Sequence, residues 1–388
     1  MIRLSLLTTL VVVASALFWL ETGIAARLGR RRVPGLKDLE PIRDESLPTL
    51  TIVAAAKDEA SRVEEAARSL LRQDYPNLTV IVVDDRSSDG TSGILDRLAA
   101  ENPRLRVVHI TSLPEDWIGK CHALAQGAGA TDSEWILFVD GDVTLAPDAA
   151  RRGVSLAVRQ GWDHVAVGPD MILESLGEAI FVGAFMSIFN ATQRPWLASD
   201  PSRGYAIGIG AFNLVRHEAY QRAGGHAAIR YEILDDMALG KILKGSGARQ
   251  TFARHDQLVT VRWHADLGGL VLGVEKNAFP AARYNVWLGA TAPWGMLAVA
   301  WAPVVGLFLP GIWPKIAALT AWVGVLINYR EVSRAARISL WQAALMPLGA
   351  TVFVYAFLRS MVVTLRQGGV RWRGTFYPIA ELRRRRVW

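Results

Sequence analysis

The chain is 388 residues long, 51% hydrophobic and only 20% charged, with a mean hydropathy of +0.21. That composition excludes a disordered chain, which is poor in apolar residues, and argues against a purely water-soluble globule. The 43 Lys and Arg outweigh the 36 Asp and Glu to give a net charge of +7, and a single cysteine, Cys121, excludes an intrachain disulfide and a cysteine-based zinc site.

Residues 4–20 carry no charge and approach the minimum length for a spanning helix. Trp19 stands near the far end of this run, where interfacial aromatics gather, and Arg27, Arg30, Arg31 and Arg32 follow. A cleaved signal peptide could use the small pair Ala25 and Ala26, but its charges would precede the apolar run. The observed order is that of an anchor which keeps the downstream chain in the cytoplasm.

Residues 48–285 alternate strand and helix patterns. The apolar runs 50–55, 78–83 and 135–139 predict strands, the first short enough to be buried; 106–110 is strand-like, and 60–71, 91–100 and 117–129 have helical spacing. Alternation of this kind predicts a mostly parallel sheet flanked by helices, with ligands held at the carboxyl ends of the strands.

Acidic groups fall at those ends. Asp84-Asp85-Arg86-Ser87-Ser88-Asp89-Gly90-Thr91 follows the second strand directly. Turn chemistry and helix capping by Asp89 or Ser88 account for part of it, but not for two adjacent acids at the strand end. Asp140-Gly141-Asp142 closes the fourth strand. Two carboxylates turning around a glycine suit one hard divalent cation, Mg²⁺ or Mn²⁺, which would neutralise a diphosphate leaving group. Lys120, at a helix start after Trp117-Ile118-Gly119, can meet phosphate, although an ordinary exposed lysine reads the same way. Asp235 and Asp236 open another helical pattern. The helix dipole alone would favour acids there, and a general base taking a proton from a hydroxyl is the functional reading. Residues 171–196 are rich in Phe, Ile, Leu and Met, and read equally as a core helix or an interfacial one.

Three further apolar runs follow. Residues 291–314 and 338–358 are uncharged and long enough to span, while 316–327 is short; Lys315 and the arginines between 330 and 337 separate them. If all three span from a cytoplasmic start, the tail ends outside. The tail arginines Arg371, Arg373 and Arg383–Arg386 would be kept inside by the positive-inside rule. Either the short middle run is re-entrant or the tail lies on the cytoplasmic face.

Taken in order, VVDDRSSDGT, FVDGD, the glycine-rich residues 204–212, AGGH and LDDMALGKIL resemble the family 2 glycosyltransferases of the GT-A fold, over residues 50–284. The WIGKCHAL string and the flanking apolar runs make the chain most similar to lipid-directed members: ceramide glucosyltransferases, carotenoid glycosyltransferases and, nearest, hopene-associated (hopanoid biosynthesis) glycosyltransferases. The resemblance implies a GT-A α/β domain over 48–285, preceded by a transmembrane anchor (1–26) and a basic linker (27–47). A C-terminal membrane region of two or three helices (286–360) and a basic tail (361–388) would follow. It implies that Glu59 and Asp85 hold the nucleotide base, that Lys120 lies near the nucleotide sugar, and that Asp140 sits at the ribose and diphosphate. Asp142, with Asp140, would bind the metal, and Asp236 would be the base beside Asp235. Expected partners are a nucleotide-sugar donor (glucose or N-acetylglucosamine on UDP), a lipid acceptor and the bilayer. The expected place is a bacterial-type inner or plasma membrane with a cytoplasmic catalytic domain. The relatives' Q/R-x-x-R-W motif is altered here to Pro280-Ala281-Ala282-Arg283-Tyr284. Arg283 matches and would contact the donor, and Lys276 is a candidate for the missing polar group. The alteration argues against a processive polysaccharide synthase. A polyprenyl-phosphate or polysaccharide acceptor and a non-catalytic membrane scaffold stay open.

Overall fold

The computed structural model describes residues 2–43, 46–264 and 266–387. The chain forms two compact units. One comprises residues 33–172, 197–263 and the tail from Glu381; the other comprises residues 2–32, Leu173–Trp196 and His264–Ala380.

The first unit is built on a seven-stranded sheet. Its strands are β1 (Leu50–Ala56), β2 (Leu78–Asp85), β3 (Leu105–Ile110), β4 (Trp135–Asp140), β6 (His164–Val167), β8 (Asn213–Arg216) and β9 (Gln250–Ala253), in the order β3-β2-β1-β4-β8-β6-β9. A smaller sheet of order β5-β10-β7 is made by β5 (Val143–Leu145), β7 (Asp170–Met171) and β10 (Val259–Val261). Strands β1 to β4 pair in parallel, and β8 is antiparallel to β4 and β6. The first four strands are those the apolar runs predict, because a strand covered on both faces needs no polar alternation. Period-two geometry then sorts side chains between two cores. Ile52, Ala54, Val80, Val82 and Leu137 enter one core, whereas Val53, Ile81, Val83, Ile136 and Phe138 enter the other. In the second core the helix Gly119–Gly129 comes so near the sheet that a Cβ on Gly127 would stand 2.4 Å from Val53 Cγ1.

The second unit is helical. Four segments are long and apolar enough to cross a membrane: Leu6–Arg30, Val286–Phe308, Ile312–Ala336 and Leu340–Gln367. The middle C-terminal run is therefore no short insertion but part of a 25-residue helix, with Lys315 in its first turn and Arg330 and Arg334 toward its end. Val12 packs with Ala302 and Ala318, a Cβ on Gly23 would meet Gly324 O at 2.5 Å, and Arg30 pairs with Glu331. The N-terminal helix and Ile312–Ala336 thus run parallel. Val286–Phe308 runs opposite to both, since Trp19 Nε1 donates to Val299 O and Val12 lies beside Gly306.

The Phe- and Ile-rich stretch forms the helix Leu176–Gln193 in this same unit, although it lies inside the residue range 48–285. Phe181 and Val182 are buried there, with Phe181 stacked near Phe353, so the face they share is a core face. Ser175 caps the helix by accepting from Glu178 N, and its hydroxyl donates back to the Glu178 carboxylate.

Candidate active site

Parallel pairing brings the carboxyl ends of β1, β2 and β4 to one rim: Ala56 is level with Asp84, and Ala55 with Asp140. The two acids that end β2 have separate tasks. Asp84 accepts from Ser87 N, Ser92 Oγ and His109 Nδ1, which closes the turn and ties it to β3. Although burial works against its charge, these bonds hold its carboxyl below the usual range. Asp85 turns the other way and takes two bonds from Arg86, at 2.7 and 2.9 Å. Asp89 accepts from Thr91 N and from Ala60 N, so its role is the turn, as capping chemistry suggests.

The helix Gly119–Gly129 starts against Asp85. A Cβ on Gly119 would stand 2.5 Å from Asp85 Oδ2 and 2.9 Å from Arg86 Nη2. The next residue is the hub of the rim. Lys120 Nζ is 2.7 Å from Asp140 Oδ1 and 3.1 Å from Asp235 Oδ1. Burial opposes its charge, but Asp140, Asp235 and Asp236 together hold the ammonium protonated well above its ordinary range. Burial likewise pushes Asp235 up to about 6 and raises Asp236, in spite of the Lys120 charge.

Asp235 and Asp236 begin the helix Asp235–Gly245, and they differ in exposure. Asp235 is buried and bound to Lys120, whereas Asp236 is only half-buried. Its two oxygens accept from Gly210 N at 3.0 Å and Met237 N at 2.8 Å. Gly210 joins the two acidic motifs, because its carbonyl also accepts from Asp140 N at 2.8 Å. A Cβ there would come within 2.3 Å of Asp140 Oδ2, and one on Gly208 within 1.8 Å of the Asp236 carbonyl. The glycine-rich segment is therefore glycine-rich because it threads between two functional strand and helix ends.

Asp142 follows Gly141 on the same rim. Burial, then the charges of Asp140 and Glu59, push its carboxyl up to about 6. Glu59 N donates to Thr91 Oγ1, which anchors the loop after β1 to the loop after β2. Asp85, Lys120, Asp140, Asp142, Asp235 and Asp236 thus lie along one rim of one unit, with Glu59 close enough for its charge to act on Asp142. Arg283 belongs to the helical unit, in a turn where it and Tyr284 both take left-handed backbone conformations (φ 58° and 54°). In that unit Lys276 Nζ lies 4.6 Å from the centre of the Trp372 ring.

Arg86, Gly119 and Gly210 complete the rim but carry no sequence signal strong enough to single them out. The nearest hints are a cation directly after two strand-end acids, and glycines beside each acidic motif. Among the described residues, no group of three or more His, Cys, Asp or Glu side chains is placed to hold a metal ion. Asp140 and Asp142 are a pair of carboxylate oxygen donors on one strand end, and burial, then the charges of Asp140 and Glu59, raise the Asp142 carboxyl. Their donor chemistry fits a hard divalent ion, and Asp142 with Asp140 are the residues that would hold one.

Residues 51–237 match the family model described as glycosyl transferase family 2. The chain is 27% identical over 352 residues to a 4,4'-diaponeurosporenoate glycosyltransferase of Staphylococcus aureus strain MRSA252, covering 86% of this chain and 89% of the relative. The protein of the same name from strain USA300 is 27% identical over 350 residues, with the same coverage. Among solved structures, a mannosyltransferase from Pyrobaculum calidifontis in complex with GDP-Man and Mn²⁺ superposes with a TM-score of 0.53 at 21% identity, over 87% of this chain and 99% of that one. The fold is GT-A.

Proposed function

We propose, for a chain that is a glycosyltransferase with a family 2 domain over residues 51–237, that it moves a sugar from a nucleoside-diphosphate donor to a membrane lipid by one inverting displacement. The observation that carries this reading is Lys120, held between Asp140 and Asp235 at the carboxyl rim of the sheet. A cation paired with one strand-end and one helix-end carboxylate is arranged to exchange those partners for phosphate oxygens when a donor enters.

In this mechanism Asp85, positioned by Arg86, accepts from the nucleotide base, with Glu59 at the adjacent loop. Lys120 turns to the diphosphate. Asp142, with Asp140, would hold a divalent cation, which supplies charge neutralisation for the departing diphosphate. Asp236 accepts the proton of the attacking hydroxyl. It suits that task better than Asp235, because it is more open and not paired with Lys120, and its raised carboxyl is a stronger base than an ordinary aspartate. Arg283, which matches the arginine of the family motif, is proposed to contact the donor.

The acceptor is proposed to be an apolar lipid with a polar end, of hopanoid, sphingolipid or carotenoid type. The long apolar helices and the relatives named for diaponeurosporenoate favour it over a polysaccharide. The catalytic unit is proposed to be cytoplasmic, because the chain enters it directly after Arg27, Arg30, Arg31 and Arg32. Membranes carrying the protein, incubated with labelled UDP- and GDP-sugars with and without Mn²⁺ or Mg²⁺, should yield one labelled lipid in a metal-dependent manner. Asp236→Asn should lower that transfer about 10²- to 10⁴-fold; full activity in this variant removes Asp236 as the base.

A further inference from the structure

The parallel pairing of the N-terminal helix and Ile312–Ala336 brings two sets of arginines to one place. Gly23 and Gly324 let the two backbones approach closely, so the side chains one to two turns later must meet. Three guanidinium groups converge on one carboxylate: Arg30 lies 3.1 Å from Glu331, Arg334 3.2 Å and Arg27 3.5 Å. Glu331 is 6% exposed, whereas the arginine side chains are 33% (Arg30), 43% (Arg334) and 48% (Arg27) exposed. Within this cluster three guanidinium groups face one buried carboxylate.

The surfaces that lead to this cluster are apolar and open. On one helix Ile24 and Leu28 are exposed beside Arg27; on the other, Val323 and Leu326 are exposed before Arg330 and Arg334. Each helix therefore presents an outward hydrocarbon stripe that ends on arginines. A single molecule that satisfies both parts has acyl chains for the stripes and an anionic phosphate for the guanidinium groups, which bind phosphate in pairs.

We infer that Arg27, Arg30 and Arg334, gathered around Glu331, form a binding site for the phosphate headgroup of an anionic phospholipid. The site lies within the helical unit and is independent of the sugar-transfer reading.

The test uses the full chain in neutral detergent with fluorescent phosphatidylglycerol as probe and phosphatidylcholine as reference. Phosphatidylglycerol should bind saturably and in preference. The double variant R27Q/R30Q should weaken it at least about tenfold, as expected when two arginines leave a lipid phosphate. R383Q/R386Q removes the same charge from the tail and should leave binding unchanged. Equal weakening in both variants overturns the inference, because net charge alone would then be responsible. Displacement of the lipid by millimolar inorganic phosphate also overturns it, as the site would then take a free anion. If R27Q/R30Q does not fold, E331Q decides. Releasing the arginines from their carboxylate should tighten phosphatidylglycerol binding several-fold, whereas unchanged or weaker binding means that they serve only to hold Glu331.

Discussion

Lys120 and Gly210 hold the rim together in different ways, and each makes a different variant informative. Without the Lys120 charge, Asp140, Asp235 and Asp236 face one another with no cation among them. Removing one partner from a buried pair of this kind costs about 3 kcal/mol, so Lys120→Gln should lower the thermal unfolding midpoint of the full chain at neutral pH. Asp235 already has a folded value near 6, above that of the unfolded chain, so its folded form takes up protons as pH falls. The stability deficit of the variant relative to the parent should therefore narrow between pH 7 and 5. Gly210→Ala acts through shape: its methyl would fall on Asp140 Oδ2, while its N–H must still reach Asp236. We expect at least about a tenfold loss of transfer with the fold intact, consistent with displaced catalytic groups. Gly204→Ala, where a Cβ meets nothing within 4 Å, should be close to neutral. The acids of this site were legible in the sequence because carboxylates at strand ends are conspicuous. What fixes them was not: Arg86, Gly119 and Gly210 matter through close approaches between segments far apart in sequence.

Among the strands, legibility follows the same rule. Strands β1, β2 and β4 stand out as continuous apolar runs, but β6, β8 and β9 are four residues each and exist only through long-range pairing. They are joined by a buried polar network that reaches the site. His164 on β6 accepts at Nδ1 from Gln250 Nε2 at 2.7 Å, and its Nε2–H donates to Asn213 Oδ1, so one neutral imidazole joins β9, β6 and β8. Gln250 goes on to bond Gly240 O and Ile207 N, in the helix that starts with Asp235 and in the glycine-rich segment. Burial holds His164 down at about 4, against the bond to Asn213 that favours its charged form. His226, bonded to Tyr220 Oη, is held down at about 3 by burial and then by Lys120. Both stay neutral in the fold while the unfolded chain protonates near 6.5, so the unfolded state binds more protons below that pH. Their contribution to stability is complete above about pH 6.5 and is lost as pH falls toward 4 and 3, by about 1.4 kcal/mol per pH unit for each histidine. Asp142 and Asp235, with folded values near 6, take up protons over the same range and act with the opposite sign, so the histidine part is read by difference: between pH 7 and 5 the unfolding midpoint of His164→Gln should lose less, relative to its value at pH 7, than that of the parent.

At the scale of the whole chain, the direction of the last apolar helix decides the topology. The tail from Glu381 belongs to the catalytic unit: Val387 N donates to the Glu232 carboxylate, and the Arg385 guanidinium lies 5.1 Å from the centre of the Tyr231 ring. The contacts of the helix Met346–Gln367 fix its direction. Trp301 Nε1 donates to Thr351 Oγ1, and Gly289 lies beside Met361, so this helix runs opposite to Val286–Phe308 and ends level with its start. A short 3₁₀ turn, Leu340–Leu345, leads directly into Met346–Gln367. We expect the basic tail to share a face with the arginine-rich helix ends, as the positive-inside rule favours, so that the last apolar run re-enters instead of crossing. Apolar length alone could not distinguish these cases, because both helices are long enough to span. Cysteine labelling can, since Cys121 is buried with its thiol pushed far up by burial and gives little background. Cysteines introduced at Arg31, Arg337 and Arg366 should react with a membrane-impermeant maleimide from one face of sealed vesicles, and one at Pro310 from the other. Labelling of the 366 position together with the 310 position would mean that the last helix crosses, and the tail could then not fold onto the catalytic unit.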